Sequence, residues 1–372
     1  MEPVDRGLHE LVQCARPARR PDVTSALTIL SRRFFGSFGN SLLTLAVLAL
    51  LAFVLPSFLR WALFDASFTA RTPLACRESG GACWAFVHEK YRLILFGRYP
   101  QAEAWRPLAA VLVIVGLIGS ACGRFLSLSS LALAAVLGAV AVAVLMWGGV
   151  FGLAYVESTS WGGLPLTLIL SVTGIVIAFP LAIGLALGRR SRLKLVSSLC
   201  IVFIELMRAV PLVSLLFMAS FMLPLFMPGE VRIDELPRAL VAIALFSSAY
   251  LAEAIRGGLQ GVPASQEEAA RSLGLGPLRA TLLVVVPQAL RIAIPGIVNV
   301  LIALFKDTSL VGIVGLMDLL LATKQALGDP TWRSFSLEAY LFVAALYFGP
   351  CFFMSRYSQA LEGKLRAGAG AI

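Results

Sequence analysis

The sequence predicts an all-α membrane protein, a polytopic bundle of about eight transmembrane helices. Two observations carry that reading. Hydrophobic residues fill 59% of the 372 positions and charged residues 14%, more apolar side chain than a soluble core absorbs. The apolar residues also lie in long runs, several of them 18 residues or more without charge, and the runs do not alternate as membrane-barrel strands would. Only helices and closed barrels satisfy their backbone in lipid, so helices remain.

The runs fall at 41–59, 107–122, 128–151, 164–187, 195–227, 239–255, 288–305 and 335–354. Each reaches or approaches the ~20 residues that cross ~30 Å of hydrocarbon. The run at 195–227 is long enough to tilt or break. Before them, residues 1–38 are polar and basic, with RPARRP and SRRFF, and read as a cytosolic tail. They contain no apolar stretch and no small-residue cleavage site, so a removable signal peptide is not expected. Residues 39–155 then carry three spans and a long loop at 61–106, residues 164–361 carry five spans, and 362–372 form a second tail.

Orientation follows from GRRSRLK, where Arg189, Arg190, Arg192 and Lys194 stand within six residues without an acid. Basic residues in short loops stay on the cytoplasmic side. Counting spans from there puts both termini and the polar insert at 263–287 in the cytosol and the loop 61–106 outside. The formal net charge of +10 is then mostly a topological signal. Nucleic-acid binding is not favoured, because no basic run is interleaved with aromatics.

Of the six cysteines, only Cys76 and Cys83 lie in an expected outer loop. In ACRESGGACW they either close a small disulfide loop, with Gly80 and Gly81 allowing the turn, or stay as two free thiols. His9 and His88 are the two histidines, too few and too scattered for a zinc or haem site. The chain has no Walker A loop, since GLALGRRS lacks both spacing and lysine. It also offers no Ser-His-Asp set or paired carboxylates, so it is not expected to be an enzyme or to hold a cofactor.

The polar insert carries the most specific signal. In VPASQEEAARSLGLGPLRATLLVVVPQALR, Ser265 and Glu268 have capping-box spacing, so a helix is expected to start within 263–266 and run past Arg271. Gly274 stops it, and Gly276 with Pro277 opens a second helix that proceeds into the next span. The result is a helical hairpin whose polar face needs a protein partner, because lipid would not accept Glu268 or Arg271.

Glu268, Ala269 and Ala270, then Gly274, then Val284, Val286 and Pro287, resemble the EAA loop of ABC-importer permease subunits. FIELMRAVPLVSLLF, AYLAEAIRGGLQGVP and LFKDTSLVGIVGLMDLL resemble the polar amino acid branch of that family. The resemblance covers roughly 164–361. The region before it is similar to the extended N-terminus of the larger permeases of general L-amino acid importers. Where the family has isoleucine and leucine before the proline, this chain has valines.

The resemblance implies a type I ABC importer permease core of five helices, in a bacterial inner membrane, translocating L-amino acids of polar or broad range. A narrower substrate (glutamine, an opine or a basic amino acid) is the alternative. Glu268, Ala269, Ala270, Arg271, Gly274 and Pro287 would couple to the ATPase. The implied partners are a homologous permease subunit, expected as a heterodimer, two ATPase subunits carrying the ATP and Mg, and a periplasmic solute-binding protein. From another class, an ion-coupled secondary transporter would show an internal inverted repeat, and none is visible.

Charged side chains inside spans mark candidate pathway residues. Glu205 and Arg208 share a helical face at i,i+3 spacing, ~15 Å into a straight span, and Pro211 follows with its missing donor. They read either as a gate or substrate contact or as an ion pair that fixes packing. Asn299, Lys306, Asp307, Thr308 and Ser309 gather donors and acceptors suited to a zwitterion. Equally, Lys306 would snorkel and Asp307 would cap another helix. Glu253 and Arg256 read as interfacial, with a structural role.

Overall fold

The computed structural model describes residues 34–69, 73–78, 80–123, 125–228 and 233–369. Most of the expected N-terminal tail lies outside them. The described residues fall into two compact units, one up to Cys83 and one from Trp84 onward.

In the first unit, α1 (Phe38–Leu59) begins at Ser37, whose hydroxyl accepts from the Asn40 amide, and ends in a wider turn at Arg60–Phe64. No residue of α1 is buried within the chain, which fits a helix whose surroundings are lipid or another subunit. After the short α2 (Pro73–Glu78), Cys76 and Cys83 form a disulfide with Cα atoms 5.5 Å apart.

The second unit starts with α3 (Ala85–Phe96), α4 (Trp105–Gly123) and α5 (Leu128–Trp147). The buried Arg106 donates to the carbonyls of Leu145 at 2.7 Å and Ala154 at 2.8 Å, and the Tyr99 hydroxyl donates to those of Leu145 and Met146. The Leu145 and Met146 carbonyls are ones that the end of α5 leaves without helical partners, and the Ala154 contact ties in the loop beyond it. Next come α6 (Gly163–Arg189), α7 (Lys194–Ala209), α8 (Leu212–Phe217) and α9 (Glu235–Gly261). The central helix is α9, packed on α6, α7, α8 and α12. Small residues make that possible: Ala178, Ala182 and Ala186 line one face of α6, and Ala249 and Ala252 lie in the same buried cluster. Small side chains let membrane helices approach closely without a hydrophobic drive between them.

The chain continues through α10 (Ala264–Ser272), α11 (Pro277–Ala280), α12 (Val286–Asp307), a 3-10 segment Thr308–Val314, the two-residue strand β1 (Met317–Asp318), α13 (Leu319–Ala326) and α14 (Ser336–Ala369). Among the described residues seven helices are long and apolar enough to span a membrane, or eight with the bent pair α7 and α8. The protein is an all-α, multi-pass membrane protein. The run at 195–227 breaks, bending by 101°, because Val210 is extended ahead of Pro211, which caps α8. The final helix runs on to Ala369, through most of the stretch expected as a tail.

Candidate functional site

The hairpin forms where the sequence puts it, with one correction. Pro263 is the N-cap of α10 and makes no side-chain capping bond. Ser265 is therefore already inside the first turn, and the capping box of Ser265 with Glu268 does not form. Proline holds its backbone in the extended geometry that starts a helix, two residues ahead of the serine. Glu267 instead pairs with Arg271 at 2.7 Å, and the Ser272 hydroxyl donates to the Glu268 carbonyl. Gly274 ends the helix at φ +84, with the Leu275 amide donating to the Ala270 carbonyl and the Gly274 amide to that of Arg271. Pro277 opens α11, and a wide turn at Thr281–Val285 leads into α12 with Pro287 in its first turn.

From Pro277 to Val314 the chain is one continuous helical run, long and apolar enough to include a membrane span. Glu268, Ala269, Arg271, Gly274 and Pro287 are exposed, while Ala270 is buried. Leu273, Leu278 and Leu283 add an exposed apolar surface to the same hairpin.

Beside the hairpin lies a cluster of charges that the sequence scatters over four stretches. Glu253 on α9 accepts from Arg189, the last residue of α6, at 2.5 Å and from Arg256 at 2.8 Å, and stands 3.7 Å from Arg208 on α7. Arg189 also reaches Glu205 at 3.3 Å, whereas Glu205 and Arg208 are 3.9 Å apart. Glu205 thus sits within side-chain reach of Arg189 at the end of α6. It stands in the unbroken part of α7, ahead of the bend at Pro211. A half-open cavity of about 400 Å³, lined in part by Arg189, Arg190, Arg256, Pro263 and Glu267, joins this cluster to the start of α10. Glu253, read as interfacial, is the hub, and Arg189, read only for topology, is its nearest partner.

The second candidate group lies where α12 gives way to the 3-10 segment. Thr308 is fully buried and donates to the Phe305 carbonyl at 2.7 Å, Asp307 and Ser309 are partly buried, and Lys306 and Asn299 are exposed. Asp307 has no capping side-chain bond. The capping acid is Asp318, which accepts from the amides of Leu320 at 2.8 Å and Leu321 at 3.1 Å and from the Tyr347 hydroxyl at 3.3 Å. Burial pushes its carboxyl above the usual carboxylate range, against those hydrogen bonds. Sequence reading passed over Asp318 and Tyr347; the signal available was an acid directly ahead of LLLATKQA, a helix start.

Residues 178–367 match the family described as "Binding-protein-dependent transport system inner membrane component". The chain belongs to that family. It is 46% identical over 362 residues to the "Inner membrane amino-acid ABC transporter permease protein YhdY" of Escherichia coli (strain K12), covering 95% of this chain and 96% of the relative. It is 38% identical over 350 residues to the "Glutamate/glutamine/aspartate/asparagine transport system permease protein BztC" of Rhodobacter capsulatus, covering 78% and 80%. The "Probable glutamine ABC transporter permease protein GlnP" of Bacillus subtilis (strain 168) is 32% identical over 202 residues, 54% of this chain and 91% of the relative. The charge cluster, the hairpin and the polar turn at 306–309 all fall inside the region matched to this permease family; Lys90, Tyr99 and Arg106 fall before it.

Proposed function

We propose that the chain is the membrane-spanning permease subunit of an ATP-driven importer that translocates L-amino acids, of polar or broad range, across a bacterial inner membrane. The observation that carries this reading is the hairpin, exposed on both helices and continuous from Pro277 into a membrane span. A push on such an element moves a span directly, which is what coupling to a separate ATPase requires. The relatives' names supply the substrate class. Binding of ATP and Mg belongs to the ATPase subunits, one pair per assembly, and a solute-binding protein delivers the amino acid from outside. A second, homologous permease completes a heterodimer. Both chain termini and the hairpin face the cytosol.

In this reading the cluster around Glu253 transmits hairpin motion to α6, α7 and α9, and the turn at 306–309 with Asn299 lines the pathway. The test is transport by the intact complex in proteoliposomes with binding protein outside. Uptake of labelled amino acid that requires internal ATP and survives an ionophore is expected. Uptake that ignores ATP and collapses with the ionophore would assign the chain to ion-coupled transport.

A further inference from the structure

We propose that residues 85–99, which precede the family-matched region, are a brace that positions the polar turn at 306–309; this rests on the reading of that turn as part of the transport pathway. Three links on the structure carry it: the first and third meet at β1, and the second fastens the chain that follows α13 to α3.

The first link is main chain. Gly97 approaches Gly162 so closely that a Cβ on Gly97 would stand 2.5 Å from the Gly162 Cα. Gly162 and Gly163 in turn pair with Met317 and Asp318 as parallel bridges. A side chain at Gly97 would therefore push on the strand that closes the 3-10 segment Thr308–Val314.

The second link is side chain. Lys90 on α3 donates to Asp329 Oδ2 at 2.9 Å, across 239 residues, with both side chains at least two-thirds buried. Phe86 packs on Trp332, with ring centroids 6.0 Å apart, and Trp332 on Phe335 at 5.8 Å. Together these hold the connection between α13 and α14 against α3, and α3 also packs along α13 itself.

The third link runs from β1 to the turn. Asp318 accepts from the Tyr347 hydroxyl, and the Tyr347 ring meets Phe305 edge-on at 5.5 Å, one residue before Lys306. The Leu319 amide donates to Thr167 Oγ1 at 3.4 Å. The 3-10 segment is thus held at its start through Phe305 and at its end through β1, and α3 supports β1 from the far side of Gly162. Packed cores pass such displacements on because they switch between discrete arrangements and do not deform smoothly. Phe86, Lys90, Gly97, Asp318, Asp329 and Tyr347 are positioning groups; none of them is proposed to touch substrate.

The experiment uses the intact complex with Lys90→Ala, with Asp329→Ala, and with the exchanged pair Lys90→Asp plus Asp329→Lys. Hydrogen exchange of the amides at 308–320 is read first. Each single variant is expected to exchange about five-fold faster there, the range of one partly buried ion pair, and the exchanged pair to recover most of that protection. Uptake is read second: the single variants lower kcat with the apparent KM for loaded binding protein unchanged, and the exchanged pair restores kcat. Exchange at 308–320 that stays at the unmutated rate in both single variants would overturn the brace, as would an exchanged pair no better than either single. Absence of ATP-driven uptake in the unmutated complex counts against the transport reading alone, and hydrogen exchange then decides the brace.

Discussion

Arg106 is fully buried, donates to two carbonyls and lies over the Tyr99 ring, 5.5 Å from its centroid. A methionine there keeps much of the volume and removes every donor. Arg106→Met is expected to cost about 2–3 kcal/mol, the desolvation of carbonyls left unpaired, and thermal unfolding of the purified protein measures it. Asp329 responds to pH. Lys90 and the Thr331 hydroxyl and amide hold its carboxyl down to about 2 from an ordinary 3.8. A depressed carboxylate contributes stability that is complete above its unfolded value and is lost as pH falls through the folded one. The fluorescence of Trp332, which packs beside this pair, should therefore stay flat to about pH 4 and change with a midpoint near 2. Trp332→Phe serves as the blank and Asp329→Asn removes the transition; a midpoint near 4 in the unmutated protein would contradict the pairing.

Among elements, the broken span and the ends of α6 and α9 form one mechanical unit through Glu253. Its carboxylate side chain is 16% exposed and that of Glu205 is 55% exposed, so the two contacts that Arg189 makes should differ in strength. Double-mutant cycles on the purified protein should give a coupling of about 1–3 kcal/mol for Arg189 with Glu253 and under about 0.5 for Arg189 with Glu205. Equal couplings would deny Glu253 its place as hub. The sequence made the elements themselves legible. Apolar runs located the spans, and the extended residue forced by Pro211 accounts for the break that length alone suggested. Gly274 and Pro277 located the hairpin turn to the residue, because left-handed backbone and a missing amide are local requirements. The capping box failed for an equally local reason: Pro263 starts the helix first. What stayed hidden is pairing between elements. Glu253 and Arg189 are 64 positions apart and Lys90 and Asp329 are 239 apart; one-dimensional patterns carry helix faces but not which faces meet.

On the scale of the whole molecule, seven spans among the described residues, or eight with the bent pair, and a family match over 178–367 make a multi-pass permease. The central claim is that nucleotide-driven motion enters through the exposed hairpin. Gly274 has open space around the position of a side chain, so a residue there meets no neighbour, and its cost is the left-handed backbone alone, about 1–2 kcal/mol. The decisive measurement is ATP-driven uptake by the reconstituted complex carrying Glu268→Lys together with Gly274→Val, beside co-purification of the ATPase subunits. Uptake more than about tenfold below the unmutated complex, with the permease still inserted in the membrane, is the predicted result. Unchanged uptake with the ATPase bound at full stoichiometry would contradict it.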